Sequence, residues 1–288
     1  MAENLYVPLA NRAMIAVGGE DARTFLQGLV SNDVDRVAPD RAIYAALLTP
    51  QGRYLFDFFI VEIAGTLHLD CEAVRHGELL KRLAMYKLRA KVTLRAADGL
   101  AVFAAFGDGA LAALGLDGAP GLARAIDGGV VYTDPRNAKA GARAALPPEA
   151  AQAEFEKAGF RRAEFAEYDA MRMGLALPES GRDLVADRAL LLECGFEGLN
   201  GVDFEKGCYV GQEVTTRMKR RALVKKLLLP VAIDGEAPSP GTKVMRDGVE
   251  VGELRSSQGN LGLALLRLDA MEGDLIAGAA HISPRPRG

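Results

Sequence analysis

Apolar and polar positions alternate so as to predict a chain that opens with a strand and then a helix. AMIAVGG at residues 13–19 is a short apolar run suited to a strand. Glu20 and Asp21 then lead into ARTFLQGLV at 22–30, where Phe25, Leu26 and Leu29 fall on one helical face. Three apolar runs follow: IYAALLTP at 43–50, RYLFDFFIVEI at 53–63 and TLHLDCE at 66–72, split by turn residues at Gln51-Gly52 and Gly65. Such runs form an antiparallel meander. Over 73–92, Leu79, Leu80, Leu83 and Tyr86 return to helical spacing, as far as the β-branched Val92-Thr93.

Residues 96–160 are rich in Ala and Gly, with LAVFAAF and GVVYTDPR as strands and PPEAAQAEFEKAGF as a helix whose prolines suit its start. EFAEYDAMRMGLA at 164–176 is helical by period, after which Pro178 and Gly181 open a loop. From Leu223 onward, short apolar runs punctuated by Gly, Pro and Asp have the spacing of a small antiparallel barrel. The predicted class is α+β. Its expected divisions are a lobe of residues 1–95 with 161–222, a second lobe of 96–160, and a barrel of 223–288.

Composition narrows the function classes. The chain has 288 residues, 49% hydrophobic and 25% charged, which excludes disorder and fibrous repeats. Its net charge of -3 leaves no excess to neutralise a long nucleic-acid backbone. One local basic cluster stands out, RMKRR at 217–221 with Lys225 and Lys226. A solvated helix end, a partner contact and a tRNA contact all remain open for it. The three cysteines, Cys71, Cys194 and Cys208, lack CxxC or CxxH spacing, so this chain alone cannot close a zinc or iron–sulfur site. His68, His76 and His281 make no metal spacing either, and no metal site is expected. With no charged n-region before an apolar core and no long uncharged apolar stretch, the expectation is a cytoplasmic protein without membrane contact.

The least ordinary segment is Lys206-Gly207-Cys208-Tyr209-Val210-Gly211-Gln212-Glu213. Two glycines four apart let the backbone turn sharply around a thiol. Lys206 could favour a thiolate through its charge, as could a helix starting at Gly211 and running through Arg217. The plainer account is a small buried cysteine in a tight turn. Upstream, MRMGLALPESGRD holds Arg172 and Asp183, and LLLECGF holds Glu193. Carboxylates in a bent segment suit a planar ligand with two parallel N–H donors, such as a pterin. Solvated loop charges are the bland alternative. Asn32, Asp33, Glu72 and Tyr86 are weaker candidates, and Asp57, flanked by Leu55, Phe56, Phe58 and Phe59, faces either solvent or a ligand.

KGCYVGQE, with DARTFLQGLVSNDV, ALLTPQGRYLFDF, YKLRAKV and YDAMRMGLALPE, resembles the YgfZ-type folate-binding proteins of the glycine-cleavage T-protein (GcvT, aminomethyltransferase) superfamily. LPESGRDL and NGVDFEKGCYVGQE are most similar to the subgroup of mitochondrial-type iron–sulfur assembly proteins. The resemblance implies a three-lobed GcvT-like disc, with ferredoxin-like lobes around a folate-sized opening and a C-terminal barrel. It implies tetrahydrofolate as the cofactor, with Asp183, Glu193, Asn32, Asp33, Glu72, Tyr86 and Arg172 as candidate contacts. Cys208 stands where the transferases carry an acidic residue, and Phe56-Asp57 where they carry a pair of Asp, which counts against aminomethyl transfer.

The implied function is a tetrahydrofolate-binding accessory factor that assembles or repairs iron–sulfur clusters on client enzymes, tRNA-modifying enzymes included. Cys208 would act, Lys206 tune it, Gly207 and Gly211 shape the loop, Tyr209 and Gln212 position it, and Glu213 and Arg217 hold the segment or the folate tail. Partners would be folate and iron–sulfur client or assembly proteins. The alternatives are a one-carbon transferase using Asp57 and a folate-free protein-binding scaffold.

Overall fold

The computed structural model describes residues 3–287. They form two compact units. One holds the N-terminal stretch through Leu48, Leu55–Phe165 and Gly198–Val210; the other holds Thr49–Tyr54, Ala166–Glu197 and the chain from Gly211.

The first unit carries strands β1 (Leu5–Pro8), β2 (Arg12–Gly18), β3 (Ile43–Leu48), β4 (Tyr54–Ile63), β5 (Thr66–Glu72), β6 (Thr93–Ala96), β7 (Ala101–Phe106), β8 (Ala123–Ile126), β9 (Gly129–Thr133), β10 (Ala142–Leu146) and β11 (Arg161–Arg162). Its helices are α1 (Ala22–Gln27), α2 (His76–Lys87), α3 (Ala110–Ala113) and α4 (Pro148–Lys157). The expected meander is there, in a sheet of order β3-β4-β5-β2-β6. A second sheet has the order β11-β1-β7-β10-β9-β8.

Period-2 alternation explains the stacking of this unit. On β4 and β5, Phe56, Phe58, Ile60, Leu69 and Cys71 turn to one face, where Leu26 of α1 and Leu79 and Leu83 of α2 cover them. In the second sheet, Phe103, Val131 and Ala144 turn outward to Phe155 of α4. The opposite faces of the two sheets meet each other. Registers Phe59↔Asp70 and Met14↔Asp70 put these residues on that inner face. Asp57, two residues from Phe59, therefore faces neither solvent nor the helices. Both sides of β4 are covered, which is why its sequence is apolar almost throughout.

The second unit contains α5 (Phe165–Gly174), α6 (Gln212–Arg220) and strands β12 (Lys226–Asp234), β13 (Lys243–Arg246), β14 (Val249–Gln258), β15 (Leu261–Arg267), β16 (Leu275–Ala277) and β17 (Ala280–Pro284). The six strands close into a barrel of order β12-β15-β14-β13-β16-β17, as the short punctuated runs predict. Closure leaves no edge open to pairing. Val231, Val244, Leu254, Leu266 and Ile282 fill it, while Met173 of α5 packs on Leu228 and Leu263. No helix among the described residues is long and apolar enough to cross a membrane.

Candidate functional site

The KGCYVGQE segment forms a loop that ends where α6 begins. Its turns rest on left-handed backbone at Gly207, φ 92°, and Gly211, φ 81°, a conformation costing about 1–2 kcal/mol per residue with a side chain. Cys208 is exposed, while Cys71 and Cys194 are buried. Burial pushes both buried thiols up to about 12, which leaves them protonated and inert at neutral pH. Tyr209 is buried, anchoring the loop next to the thiol. Gln212 and Glu213 open α6, and Glu213 is in its first turn, where a carboxylate suits the helix dipole.

Lys206 also ties the loop down. Its Nζ donates to the carbonyl oxygens of Gln27 at 2.7 Å and Val30 at 2.6 Å, at and just beyond the C-terminal end of α1, where helix carbonyls lack partners. The ammonium also stands 5.2 Å from the centre of the Tyr209 ring. Burial, partly offset by Asp33 and Asp203, pushes Lys206 down to about 8. Lys206 is thus a clamp between the motif loop and α1.

The residues assigned to folate are mostly committed elsewhere. Asp183 accepts from Arg172 Nη1 at 2.7 Å, from the Glu179 amide at 2.8 Å and from the Ser256 hydroxyl. Arg172 also donates to Asp169 at 2.6 Å and to the Leu177 carbonyl at 3.0 Å. Asn32 donates to the carbonyls of Tyr44 and Asn200, both at 2.7 Å. Asp33 accepts from Gln27 at 2.8 Å and caps a short 3-10 turn. Tyr86 lies against the core of the first unit, and Glu72 ends β5.

Only Asp183 and Glu193 line one cleft, of about 330 Å³, in the second unit. Burial raises the Glu193 carboxyl, against Lys226 and Arg53. Asn32, Asp33, Glu72 and Tyr86 belong to the other unit. In the second unit Asp183 accepts three bonds and Arg172 is held by internal carboxylates, yet among the described residues Arg172 Nη2 is buried without a hydrogen-bond partner.

Asp57 is sealed as well. It is 3% exposed and accepts from the Tyr44 hydroxyl at 2.9 Å; burial and the Asp57 charge raise that phenol well above its ordinary range. Around it lies a charged layer between the two sheets. Asp70 accepts from Arg12 Nε at 2.7 Å and Arg143 Nη2 at 2.6 Å. Arg136 pairs with Asp134 at 2.8 Å, and the Phe59 ring lies 4.1 Å from the Arg143 guanidinium and 4.8 Å from that of Arg136. Sequence reasoning passed over Arg12, Arg136 and Arg143. The available signal was an arginine inside the otherwise apolar ARAAL strand. Among the described residues, no three His, Cys, Asp or Glu side chains converge as metal ligands.

Comparison with known proteins accords with this architecture. Residues 225–287 match the family described as CAF17, C-terminal beta-barrel domain. The chain is 35% identical to the human iron-sulfur cluster assembly factor IBA57, mitochondrial, over 93% of this chain and 78% of that protein. The Aspergillus fumigatus IBA57 homolog is 32% identical over 97% of this chain and 74% of its own length. Among solved structures, the glycine cleavage system aminomethyltransferase T from Bartonella henselae superposes with a TM-score of 0.78 at 16% identity, covering 97% of this chain and 84% of that one. The fold is therefore GcvT-like, as the resemblance implies. The cytoplasmic expectation is corrected: these relatives are named as mitochondrial, pointing to the mitochondrion instead.

Proposed function

Because the chain belongs to the IBA57 family of iron–sulfur cluster assembly factors, we propose that it helps build or repair clusters on client proteins, with Cys208 lending one thiolate to a cluster held jointly with another chain. The observation that carries this is the contrast among the cysteines: Cys208 alone is exposed, on a glycine-shaped loop, while the other two are buried. A cluster takes four protein ligands in its common forms. One thiolate cannot retain it, so the remaining ligands come from a partner protein or a small thiol. On binding iron, the Cys208 thiol gives its proton to solvent and displaces one ligand of the incoming cluster. Neither iron nor sulfide changes oxidation state. When the client's thiolates arrive, the weakly held Cys208 is displaced in turn.

Lys206 and the buried Tyr209 keep the loop in place from either side of the thiol. The transferase alternative asks Asp57 to meet a substrate amine, but Asp57 is buried and bonded to Tyr44.

The test is anaerobic mixing of the purified chain with a glutathione-ligated [2Fe–2S] cluster, followed by rapid desalting. The chain alone elutes colourless, and visible absorbance persists only while excess thiol completes the ligand set. Cys208→Ala abolishes that absorbance. Equal absorbance in wild type and Cys208→Ala overturns the assignment.

A further inference from the structure

The RMKRR segment has no part in the function proposed above, and its surroundings are unlike a merely solvated helix end. Val214, Arg217 and Met218 of α6, with Leu223 and Lys225 beyond it and Arg53 from the turn before β4, line a groove of about 430 Å³. All of it lies in the second unit. Its floor is apolar: Leu223 is 42% exposed, an unusual exposure for a leucine. Its rim is cationic. Among the described residues, neither Arg217 nor Lys225 has a carboxylate within ion-pair distance, and the Arg53 guanidinium donates to the Arg188 carbonyl at 3.1 Å. Glu193 is the one carboxylate in the groove, so three cations oppose a single anion. Arg217 also borders a second groove, shared with Arg220 and Arg221, which extends the positive surface around α6.

We propose that this groove docks an acidic, leucine-bearing segment of a partner protein. Charge complementarity selects carboxylates for the rim, and the apolar floor selects aliphatic side chains between them. A nucleic-acid strand fits less well. No aromatic side chain lines the groove to stack a base, and Glu193 would face a continuous run of phosphates. A peptide can set leucine against Glu193 and the floor while its carboxylates reach Arg53, Arg217 and Lys225. The docking rests on the assembly reading only for what the partner does; the groove itself stands apart from Cys208.

The test is fluorescence anisotropy of the full chain with a labelled synthetic peptide alternating glutamate and leucine, run beside a single-stranded RNA of equal charge. The peptide binds, more weakly as salt rises. The double variant Arg217→Glu, Lys225→Glu loses at least about tenfold in affinity, and Leu223→Ser loses about threefold or more through the floor alone. All three positions are exposed, and circular dichroism confirms that each variant folds. Cys208→Ala binds the peptide as wild type does, so failure of the cluster assignment leaves this result standing. Unchanged affinity in the double variant, or RNA binding tighter than peptide, overturns the proposal.

Discussion

Gly52 and Gly211 meet backbone to backbone. A Cβ placed on Gly52 would lie 2.8 Å from the Gly211 carbonyl oxygen and 2.7 Å from Val214 Cβ, and Gly52 itself sits at φ 74°. The turn after β3 and the end of the cysteine motif therefore fit together only because Gly52 carries no side chain there. This approach joins positions 159 apart in the chain (211 minus 52).

Gly52→Ala should consequently destabilise the second unit by more than the roughly 1–2 kcal/mol of left-handed backbone strain alone. Urea denaturation measures it. By contrast, a Cβ on Gly207 meets nothing within 4 Å, so Gly207→Ala should cost only that backbone strain. Equal losses for the two variants would contradict this account of the turn.

Asp70 holds two arginines at once. Replacing it by Asn leaves Arg12 and Arg143 buried without their counter-charge, a loss of about 3–5 kcal/mol by analogy with other broken buried pairs. The pH dependence has a definite sign. Arg12 and Arg143, outweighing burial, hold the Asp70 carboxyl below its ordinary range. Its contribution is thus fully present above the unfolded-state value of about 3.9 and is lost as pH falls through the lower folded-state value. Acid unfolding of wild type should show this loss, and Asp70→Asn should lack it. Parallel acid limbs would refute the role assigned to the pair.

Lys206 gives the opposite kind of test. Its folded-state value of about 8 lies below the ordinary lysine value, so between about 8 and 10.4 the unfolded chain binds more protons. Wild-type stability relative to Lys206→Met should therefore rise with pH across that window and stay level below it. Denaturation at stepped pH checks this. A difference that does not vary with pH would mean that the ammonium is solvated, not clamped on Gln27 and Val30.

Folinic acid should leave the melting temperature unchanged. A ligand of the folded state must raise it, and two of the residues assigned to folate are already engaged: Asp183 by Arg172 and Ser256, Asn32 by Tyr44 and Asn200. A concentration-dependent rise would show that these networks open to admit the ligand.

Much of the fold was legible because it depends on local pattern. The runs at 53–63 and 66–72 became β4 and β5, and the punctuated tail became a closed barrel. Element ends were less so. The helix expected over 73–92 stops at Lys87, where Leu88 turns to φ 43°, and Leu5–Pro8 carries too short a pattern to reveal an inner strand. At the site, the glycine turns and the helix after Gly211 could be read from residue types. Partnerships between distant charges could not. Asp183 meets Ser256 across 73 positions, and Asp70 meets Arg143 across another 73; no local spacing encodes either. The side of β4 on which Asp57 lies was equally hidden, since both of its faces are covered.

The most direct test of the central claim is iron–sulfur enzyme activity in cells whose only copy of this protein carries Cys208→Ala. With the protein present at its normal level, the account predicts that client activity falls to that of cells lacking the protein, while Cys71→Ala sustains it. Full activity with Cys208→Ala would contradict the claim that this thiol handles clusters.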